Sequence, residues 1–458
     1  MWLATVIAIV TCMVVPSLAS AQRAELEKII QRKVLANGLE VIVVENHGVP
    51  LATIEVDVKN GSFTQSPEYE GLAHMYEHMF FRANAKYPQP ESFVDRAGDL
   101  GAVFNGTTAE ERVNYYLTVP SDSMEAGIRF LAPALLSPLF RQDELERERQ
   151  VVIGEYDRNE SSPFFQLNRQ MDMKLYPGNF SRKNIIGDRQ VILTTTPEKM
   201  RTIQRKYYVP NNSVLIVSGD VNPARVFASA EKELGGWQRG ADPFAADPIP
   251  VIPALTKNEG VVVEAGVGAV TVFLQWQGPS VGKDPKSTYA ADVFSDVLND
   301  PGSKFQQRLV DSGLWQSMGV NYYTLNNVGP ITISGQTTPQ NLRKALAALE
   351  GEIAKFNDPG YFDPTELEAV KAHRAVTSAF DRERASGFAH TLGFWWSVAN
   401  LEYYMGYVDN MAHQTVNDLR AYASKYIVGK PRVTGVLIDP ASRRQIGLTT
   451  DELTKAAE

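Results

Sequence analysis

Cysteine is nearly absent from this sequence: the 458 residues include a single one, Cys12. A lone cysteine cannot close an intramolecular disulfide, which excludes a small fold held together by disulfides. It also excludes a structural zinc site built from several thiolates. A bound metal would therefore need His, Asp or Glu ligands, and histidine is itself scarce, with 6 residues in the chain.

An excess of basic residues and long apolar runs are missing as well. Lys and Arg number 45 against 53 Asp and Glu, a formal net charge of −8, so the chain has no general attraction for nucleic acid. Beyond the amino-terminal segment, no run is long and apolar enough to span a membrane. With 44% hydrophobic and 21% charged residues, the composition is typical of a globular protein with an ample core.

The first 21 residues have the features of a secretory signal peptide. Leu3 to Val15 is an apolar run that Pro16 ends, and Ala19-Ser20-Ala21 is a small-residue cleavage site. The run is too short to cross a bilayer as a helix. Cys12 lies within this segment, so the processed chain would carry no thiol. We expect export across the inner membrane, to a periplasm, without a lipid anchor.

Two of the scarce histidines have the spacing of a metal site. His74 and His78 enclose Met-Tyr-Glu, with no Gly or Pro between them, and the run Ala73 to Phe81 is predicted to be helical. Residues four apart lie on one face of a helix, so both imidazoles can reach the same ion. Glu77 lies beside them, where its carboxylate can take a proton from a water bound to that ion. The alternative is a surface helix with two solvated histidines.

A third ligand must come from another part of the chain, because a catalytic zinc takes three protein ligands and leaves one position open. The best candidates lie on the charged segment Asp143 to Asp157, which is predicted to be a helix. Glu148 and Glu155 are seven residues apart and share a face, so one can bind the ion while the other supports from behind. The remaining acids of the segment are expected to face solvent: Glu144, Glu146 and Asp157.

The order of these residues resembles that of a known family. His74-x-x-Glu77-His78, followed by Glu155 after 76 residues (79 to 154), resembles the motif of the pitrilysin/insulinase family of zinc peptidases. Mitochondrial processing peptidase and its half-size bacterial relatives belong to that family. The stretch Asn105 to Tyr116 resembles the edge strand, with its approach, along which the family binds substrate.

This resemblance implies a role for each matching residue. It implies one Zn²⁺ per chain, bound by His74, His78 and Glu155. Glu77 would be the general base and Glu148 the accessory acid behind the ligands. An extended peptide would then add a strand to the sheet edge. The residues that would meet it are Asn105, Gly106, Thr107 and Thr108.

An internal repeat organises the chain. Thr196 to Val209 and Thr415 to Val428 share Thr, Arg, Lys, Tyr and Val at equivalent positions, at an offset of 219 residues (415 − 196). In each copy the Thr is predicted to cap a helix. A strand-like run then follows, at Val214–Val217 and at Val436–Ile438.

From this repeat, and from the same implication of the resemblance, we predict an α+β fold of two similar domains. Each would be a mostly antiparallel sheet packed with helices. The domains would be residues 22–241, with the metal site, and 254–458, without one, joined by the Pro-rich linker 242–253. Before the motif, Leu51 to Lys59 alternates apolar with polar residues from Ile54, which predicts a strand with one buried face.

The second domain lacks a complete substrate-gripping pair. Family members place an Arg and a Tyr there, close to the zinc. In the matching region 302–317, Arg308 has Trp315 where the Tyr would be, and the other register puts Val310 and Gln316 at the two positions. We therefore predict that a homologous partner chain supplies the pair in a heterodimer. A homodimer with a different donor is the alternative.

Together these features predict a zinc-dependent endopeptidase that hydrolyses extended peptides or unfolded protein segments in an enclosed chamber. Within the same fold, the alternative is a catalytically silent subunit that assembles with others or binds peptides. A third possibility is an unrelated extracytoplasmic binding protein with a structural zinc. The lack of cysteine argues against it, because structural zinc usually has four protein ligands and often thiolates.

Overall fold

The computed structural model describes residues 18–89 and 92–455, and the strands of these residues form two sheets. The strands of the first sheet are β1 (Ile30–Val34), β2 (Glu40–Glu45), β3 (Leu51–Val58), β4 (Val103–Thr108), β5 (Val113–Pro120) and β6 (Ser213–Gly219). Those of the second are β7 (Glu259–Glu264), β8 (Val270–Gln277), β9 (Ser317–Tyr322), β10 (Pro330–Thr337) and β11 (Val433–Ile438). We call residues 18–241 the first half and residues 254–455 the second half.

Helices pack around both sheets. In the first half they are α1 (Leu18–Ile29), α2 (Leu72–Phe80), α3 (Ser92–Asp99), α4 (Met124–Leu136), α5 (Gln142–Glu160), α6 (Pro163–Leu175), α7 (Arg189–Thr194), α8 (Pro197–Tyr207) and α9 (Pro223–Leu234), with the short α10 (Pro243–Ala246) after them. In the second half they are α11 (Pro285–Asn299), α12 (Lys304–Gln306), α13 (Leu342–Lys355), α14 (Pro364–Phe380), α15 (Ala385–Val398), α16 (Leu401–Met405), α17 (Tyr407–Ala412), α18 (Val416–Tyr426) and α19 (Pro440–Ile446).

The two sheets have closely related topologies. The first has the order β1-β2-β6-β3-β5-β4 and the second the order β7-β11-β8-β10-β9. Each is antiparallel except for one parallel pair, β2 with β6 in the first and β7 with β11 in the second. The predicted α+β class with mostly antiparallel sheets is therefore confirmed. Strand β4 is one of the two edge strands of the first sheet, with β5 as its neighbour.

The internal repeat corresponds to one structural unit present in each half. Thr196 caps α8 by accepting a hydrogen bond from the backbone N–H of Lys199, and Thr415 caps α18 in the same way with Asp418. Each helix leads into an interior strand, β6 or β11. Both predicted caps and both predicted strands are thus confirmed, because a Thr before a helical run satisfies an N–H that the helix itself cannot.

One helix of each half packs against the sheet of the other half. Helix α6 of the first half packs against β7 and β11, and α15 of the second half packs against β3 and β6. As a result, a face of each sheet that would otherwise meet water is covered by a helix distant in sequence. Buried side chains of the two halves therefore share two clusters, one that includes α15 and one formed by α6 with β7 and β11.

The predicted strand is present as β3, but this exchange of helices makes the prediction of an exposed face wrong. The alternation of residues 54 to 59 predicted one exposed face, but Thr53, Glu55 and Asp57 are 0% exposed, and the apolar residues between them are buried as well. Helix α15 covers the polar side of the strand. The periodicity reported the chemistry of the two faces correctly, but it could not report that a helix more than 300 residues away would bury the polar one.

Three further predictions concern the chain outside the sheets. Residues 247–258 contain neither helix nor strand, and the proposed linker 242–253 overlaps this stretch; the division into domains stays a prediction. Of the proposed signal peptide, residues 1–17 lie outside the described residues and 18–21 begin α1. No helix in the described part of the chain is both long and apolar enough to cross a bilayer.

Candidate metal centre and adjoining cleft

Helix α2 presents its polar residues on one side because its other sides are buried. Its first turn is capped by Gln65, whose side-chain oxygen accepts the backbone N–H of Gly71 at 2.9 Å and of Ala73 at 3.3 Å. Gly71 has φ 89° and lies against Gly187 so closely that a Cβ would come within 2.7 Å of its Cα. The buried residues of the helix are Leu72, Ala73, Met75, Tyr76, Met79 and Phe80.

The structure brings the two histidines of α2 together with one carboxylate of α5. His74 Nε2 and His78 Nε2 each lie 3.6 Å from Oε2 of Glu155. One ligand atom from each residue lies within 4.8 Å of the other two. The imidazole planes are at 87° to each other, with ring centroids 4.8 Å apart. Two imidazoles and a carboxylate that converge in this way match the donor set of a catalytic zinc site.

Glu148 lies behind this cluster. Its Oε2 is 3.2 Å from Nδ1 of His78, the ring nitrogen that points away from Glu155. Its Oε1 is 2.5 Å from Arg82 Nη2. A carboxylate on the far nitrogen of a histidine orients the ring and raises its basicity as a ligand. The seven-residue spacing left open which acid faces the ion, and this arrangement is the one the family resemblance implied.

Arg82 is a site residue that the sequence analysis missed. It follows His78 by four residues, just beyond the end of α2, where its guanidinium reaches the buried Glu148. The available signal was an Arg one helical turn after the second histidine. By contrast, Nδ1 of His74 is buried and has no hydrogen-bond partner among the described residues.

The two imidazoles differ in their electrostatic surroundings. Burial, together with the charge of His78, lowers the pKa of His74 to about 3, so this ring is neutral and its lone pair is free to bind a cation. Burial also acts to lower the pKa of His78, but the hydrogen bond to Glu148 opposes it. The nearby charges of Glu155 and Glu77 act in the same direction as that bond, and the net pKa of His78 is raised.

Glu77 lies between the cluster and the edge strand β4. Its Oε2 accepts a hydrogen bond from Thr108 Oγ1 at 2.9 Å. The backbone of Gly106 approaches it so closely that a Cβ would lie 3.0 Å from Glu77 Cγ and 3.1 Å from Oε1. Burial raises the pKa of Glu77, and the bond from Thr108 offsets part of that rise. A buried carboxylate with a raised pKa is a more effective proton acceptor than a solvated one.

A cleft of about 640 Å³ joins these groups. On one side lie His74, Glu77, His78 and Glu155, and the strand residues predicted to meet substrate form the next wall: Asn105, Gly106, Thr107 and Thr108. The far wall comes from α6 and the residues after it, including Arg169, Asp172 and Lys183. Burial and the neighbouring charge of Glu110 raise the pKa of Asp172 to about 7. Strand β4 thus forms one wall of the cleft.

The residues considered for the missing Arg/Tyr pair lie elsewhere. Arg308 pairs with Glu352 at 3.1 Å. Trp315 is buried in the second half, where its Nε1 donates to the carbonyl of Ala345 at 3.1 Å. Neither residue lines the cleft, as far as the structure describes the chain. Both therefore have structural partners in their own half.

One of the acids expected to face solvent is buried. Glu144 is 2% exposed, and its Oε1 accepts the backbone N–H of Ala83 at 3.2 Å. It binds the chain just after α2, so that prediction was wrong. Glu146 and Asp157 are exposed, as expected. The sequence of a charged helix does not show which of its acids is buried, because the backbone N–H that Glu144 binds lies 61 residues away.

Comparison with known proteins agrees with this geometry. Two family models match the chain, Insulinase (Peptidase family M16) over residues 40–186 and Peptidase M16 inactive domain over residues 194–373. An uncharacterized zinc protease of Rickettsia felis is 23% identical over 347 residues, which cover 75% of this chain and 81% of that protein. Zinc protease PqqE of Helicobacter pylori is 26% identical over 411 residues, 86% of this chain and 89% of that protein.

A solved structure shares the fold. The periplasmic protease PqqL from Escherichia coli superposes with a TM-score of 0.78 at 16% identity, over 94% of this chain and 50% of PqqL. This chain thus spans about half the length of PqqL. With residues 40–186 matched by the insulinase model and residues 194–373 by the inactive-domain model, the chain belongs to the insulinase family, peptidase family M16.

Proposed function

We propose that this chain is a zinc-dependent endopeptidase that acts on extended peptides or unfolded protein segments. The observation that carries the proposal is the convergence of His74, His78 and Glu155 beside Glu77, in a cleft bordered by an edge strand. The names of the relatives, zinc proteases in both cases, support it. One Zn²⁺ per chain is proposed, because one such cluster occurs in the described residues.

The chemistry assigns a separate task to each residue. A zinc ion, when bound, supplies a Lewis acid that polarises water and the peptide carbonyl. Glu77 takes the proton of the attacking water and delivers it to the leaving amide nitrogen. Thr108 holds Oε2 of Glu77, which leaves Oε1 as the atom that accepts this proton. Glu148 keeps the ring of His78 in its ligand orientation, and Arg82 anchors Glu148.

The peptide is proposed to pair with the free edge of β4. An outer strand presents backbone N–H and C=O groups that lack a partner on one side, and an extended peptide satisfies them. Asn105 and Thr107 are exposed along this edge, while Gly106 lets the strand approach Glu77. Backbone pairing is indifferent to most side chains, so the size of the cleft and its pockets would select substrates.

A partner chain is proposed to complete and enclose the site. A peptide carbonyl that becomes an oxyanion needs a donor besides the metal, and Arg308 and Trp315 are engaged elsewhere. PqqL is about twice as long as this chain. A homologous chain with an Arg/Tyr pair would take the place of the other half of PqqL and form a heterodimer with this chain. The alternative is a homodimer in which a different residue is the donor. Because PqqL is periplasmic and residues 1–21 resemble a signal peptide, we propose the periplasm as the site of action.

Peptide hydrolysis by the purified chain, alone and with partners captured from its native periplasm, tests the proposal. We expect one zinc per chain and cleavage of unfolded peptides that chelation abolishes and added Zn²⁺ restores. Hydrolysis that persists after complete removal of zinc would contradict the metal assignment. Full activity of the isolated monomer would contradict the partner requirement alone. A zinc-loaded complex with no activity on any peptide would favour the silent-subunit alternative, against which the complete donor set speaks.

A further inference from the structure

The turn that joins β4 to β5 is held by the second half of the chain. Glu111 in this turn is 2% exposed, and its carboxylate accepts the backbone N–H groups of Asn326 at 2.6 Å and Asn327 at 2.7 Å. It also accepts Nδ2 of Asn327 at 2.9 Å. The next residue, Arg112, donates from Nη1 to the carbonyl of His390 on α15 at 2.9 Å. Two successive charged residues of the turn thus have their partners across the interface.

Lys183 binds the loop of the second half that contains Asn326 and Asn327, through backbone carbonyl groups of that loop. Its Nζ donates to the carbonyl oxygens of Asn327 at 2.8 Å and Val328 at 2.9 Å. The loop, residues 323–329 between β9 and β10, contains a strained residue, because Val328 has φ 53° and a β-branched residue rarely adopts this conformation. Such a conformation persists where surrounding contacts hold it. Glu111 and Lys183 are such contacts, one on each side of the loop backbone.

The turn that contains Glu111 is close in sequence to the hydrogen-bond partner of the proposed catalytic base. Glu111 follows Thr108 by three residues, and Thr108 donates the hydrogen bond to Glu77. Strand β4 has one neighbouring strand, so it has less backbone support than an interior strand. Lys183 itself lines the cleft. A connection therefore runs from the loop of the second half, through Glu111 and β4, to Glu77.

We propose that Glu111 and Lys183 are positioning residues, through which the second half fixes edge strand β4 against helix α2. They keep Thr108 on Glu77 and hold the free edge of β4 ready for an extended peptide. The second half, whose loop 323–329 lies within the residues matched by the inactive-domain model, thus contributes to the site without contributing a ligand. The consequence for peptide binding rests on the proposed peptidase function, whereas the consequence for the strand does not.

Hydrogen exchange of the full-length chain, followed on peptides from β4, tests the proposal without any assay of activity. In Glu111→Gln the side chain keeps its size, but one carboxylate oxygen becomes an NH₂ that faces backbone N–H donors. We expect the β4 amides that pair with β5 to exchange about ten-fold faster, since hydrogen bonds to charged groups are among the stronger ones. Exchange in α2 and in the second sheet should be unchanged.

The matched control breaks a different contact between the halves. Lys174 of α6 pairs with Glu259 of β7 at 2.8 Å and touches neither the turn nor the loop. Lys174→Met should leave β4 exchange unchanged. Three outcomes would overturn the proposal. They are unaltered β4 exchange in Glu111→Gln, an equal acceleration of exchange over the whole chain in that variant, and the same acceleration of β4 exchange in Lys174→Met.

Two milder variants keep the test decisive if Glu111→Gln does not fold. Asn327→Ala removes one of the three hydrogen bonds to Glu111, and Lys183→Met removes both bonds to the loop carbonyls. Each should accelerate β4 exchange in the same direction, by less than ten-fold for Asn327→Ala. No acceleration in either would overturn the proposal. If the chain cleaves peptides, KM in these variants should rise more than kcat falls, at unchanged zinc content. An inactive wild-type chain would contradict the peptidase function, but the exchange result would remain valid.

Discussion

Two contacts with the edge strand distinguish Glu77 from the two acids that contact the imidazoles. Thr108 fixes one of its oxygens, and the bare backbone of Gly106 lies against the other. Glu155 and Glu148 are engaged with the imidazoles instead. The three carboxylates therefore face different groups. Glu77 faces strand β4, Glu155 faces the Nε2 atoms of both histidines, and Glu148 faces Nδ1 of His78.

Glu77→Gln should keep zinc and lose turnover. The amide preserves the size of the side chain but cannot take a proton from water, and loss of a general base typically costs about 10²–10⁴-fold in rate. Zinc content and cleavage of an unfolded peptide are measured on the same preparation. Glu146→Gln, on the exposed face of α5, is the control and should change neither. A Glu77→Gln protein with undiminished turnover would exclude Glu77 as the base.

Glu155→Gln and Glu148→Gln should separate the ligand from its support. We expect Glu155→Gln to lose stoichiometric zinc, because one of three ligands is weakened. Glu148→Gln should bind zinc about 10–100-fold more weakly, because the ring of His78 loses its anchor. Competition with a zinc-binding dye gives both affinities. The reverse order, with Glu148→Gln the more severe, would mean that the two acids exchange roles in the bound state.

At the scale of elements, the site depends on how closely strand β4 approaches helix α2. Gly106 is buried, and a Cβ on it would be in tight contact with Glu77 and Phe81. Glycine allows this close approach because it has no side chain. Helix α2, which contains the metal motif, therefore meets edge strand β4 at Gly106.

Gly106→Ala should lower activity at unchanged zinc content. The new methyl group would lie 3.0–3.1 Å from Glu77 and Phe81, so either the carboxylate or the strand must move. We expect a loss of about ten-fold or more in kcat/KM, since a small displacement of a catalytic group is costly. Gly98→Ala on α3, where a Cβ meets nothing within 4 Å, is the matched control and should be silent. Equal activity of the two variants would mean that the strand accommodates the methyl group freely.

At the scale of the whole molecule, the exchange of α6 and α15 buries charge between the halves. Both carboxylate oxygens of Asp57 are buried without a hydrogen-bond donor among the described residues, beneath Gly393 of α15. Burial and the adjacent Glu55 raise the pKa of Asp57 well above its usual value, and the charge of Arg112 offsets this in part. The interface therefore contains a carboxyl group whose ionised form destabilises the folded chain.

Asp57→Asn should stabilise the protein, and more so as pH rises. A carboxyl whose pKa is higher in the folded than in the unfolded chain binds more protons when folded between the two pKa values. Stability then falls as pH rises from the unfolded value of about 3.9 through the folded one. Because Asn cannot ionise, we expect the Tm to rise by about 2–4 °C at pH 7.5 and by less at pH 5.

Thermal melts at both pH values give this comparison directly. Asp311→Asn, at an exposed position of the second half, is the control and should shift the Tm at neither pH. A stabilisation by Asp57→Asn that does not depend on pH, or a destabilisation at pH 7.5, would contradict the assigned direction of the pKa shift.

The sequence by itself determined the local parts of this protein. The pairing of His74 with His78 follows from the period of a helix, and the Thr caps of α8 and α18 follow from the needs of the first turn; both involve residues within a few positions of each other. The repeat predicted two related sheets for the same reason, because each copy carries its own local pattern. The motif with its third glutamate also carried the family resemblance.

Only the tertiary structure decided which groups face each other across large separations in sequence. The rotation of α5 against α2 puts Glu155 on the converging nitrogens and Glu148 on the outer one, and no spacing within α5 could fix that rotation. The burial of Glu55 and Asp57 depends on α15, whose His390 meets Glu55 from 335 residues away. Side-chain periodicity records the polarity of a face, whereas its covering depends on packing between elements that the chain brings together only when folded.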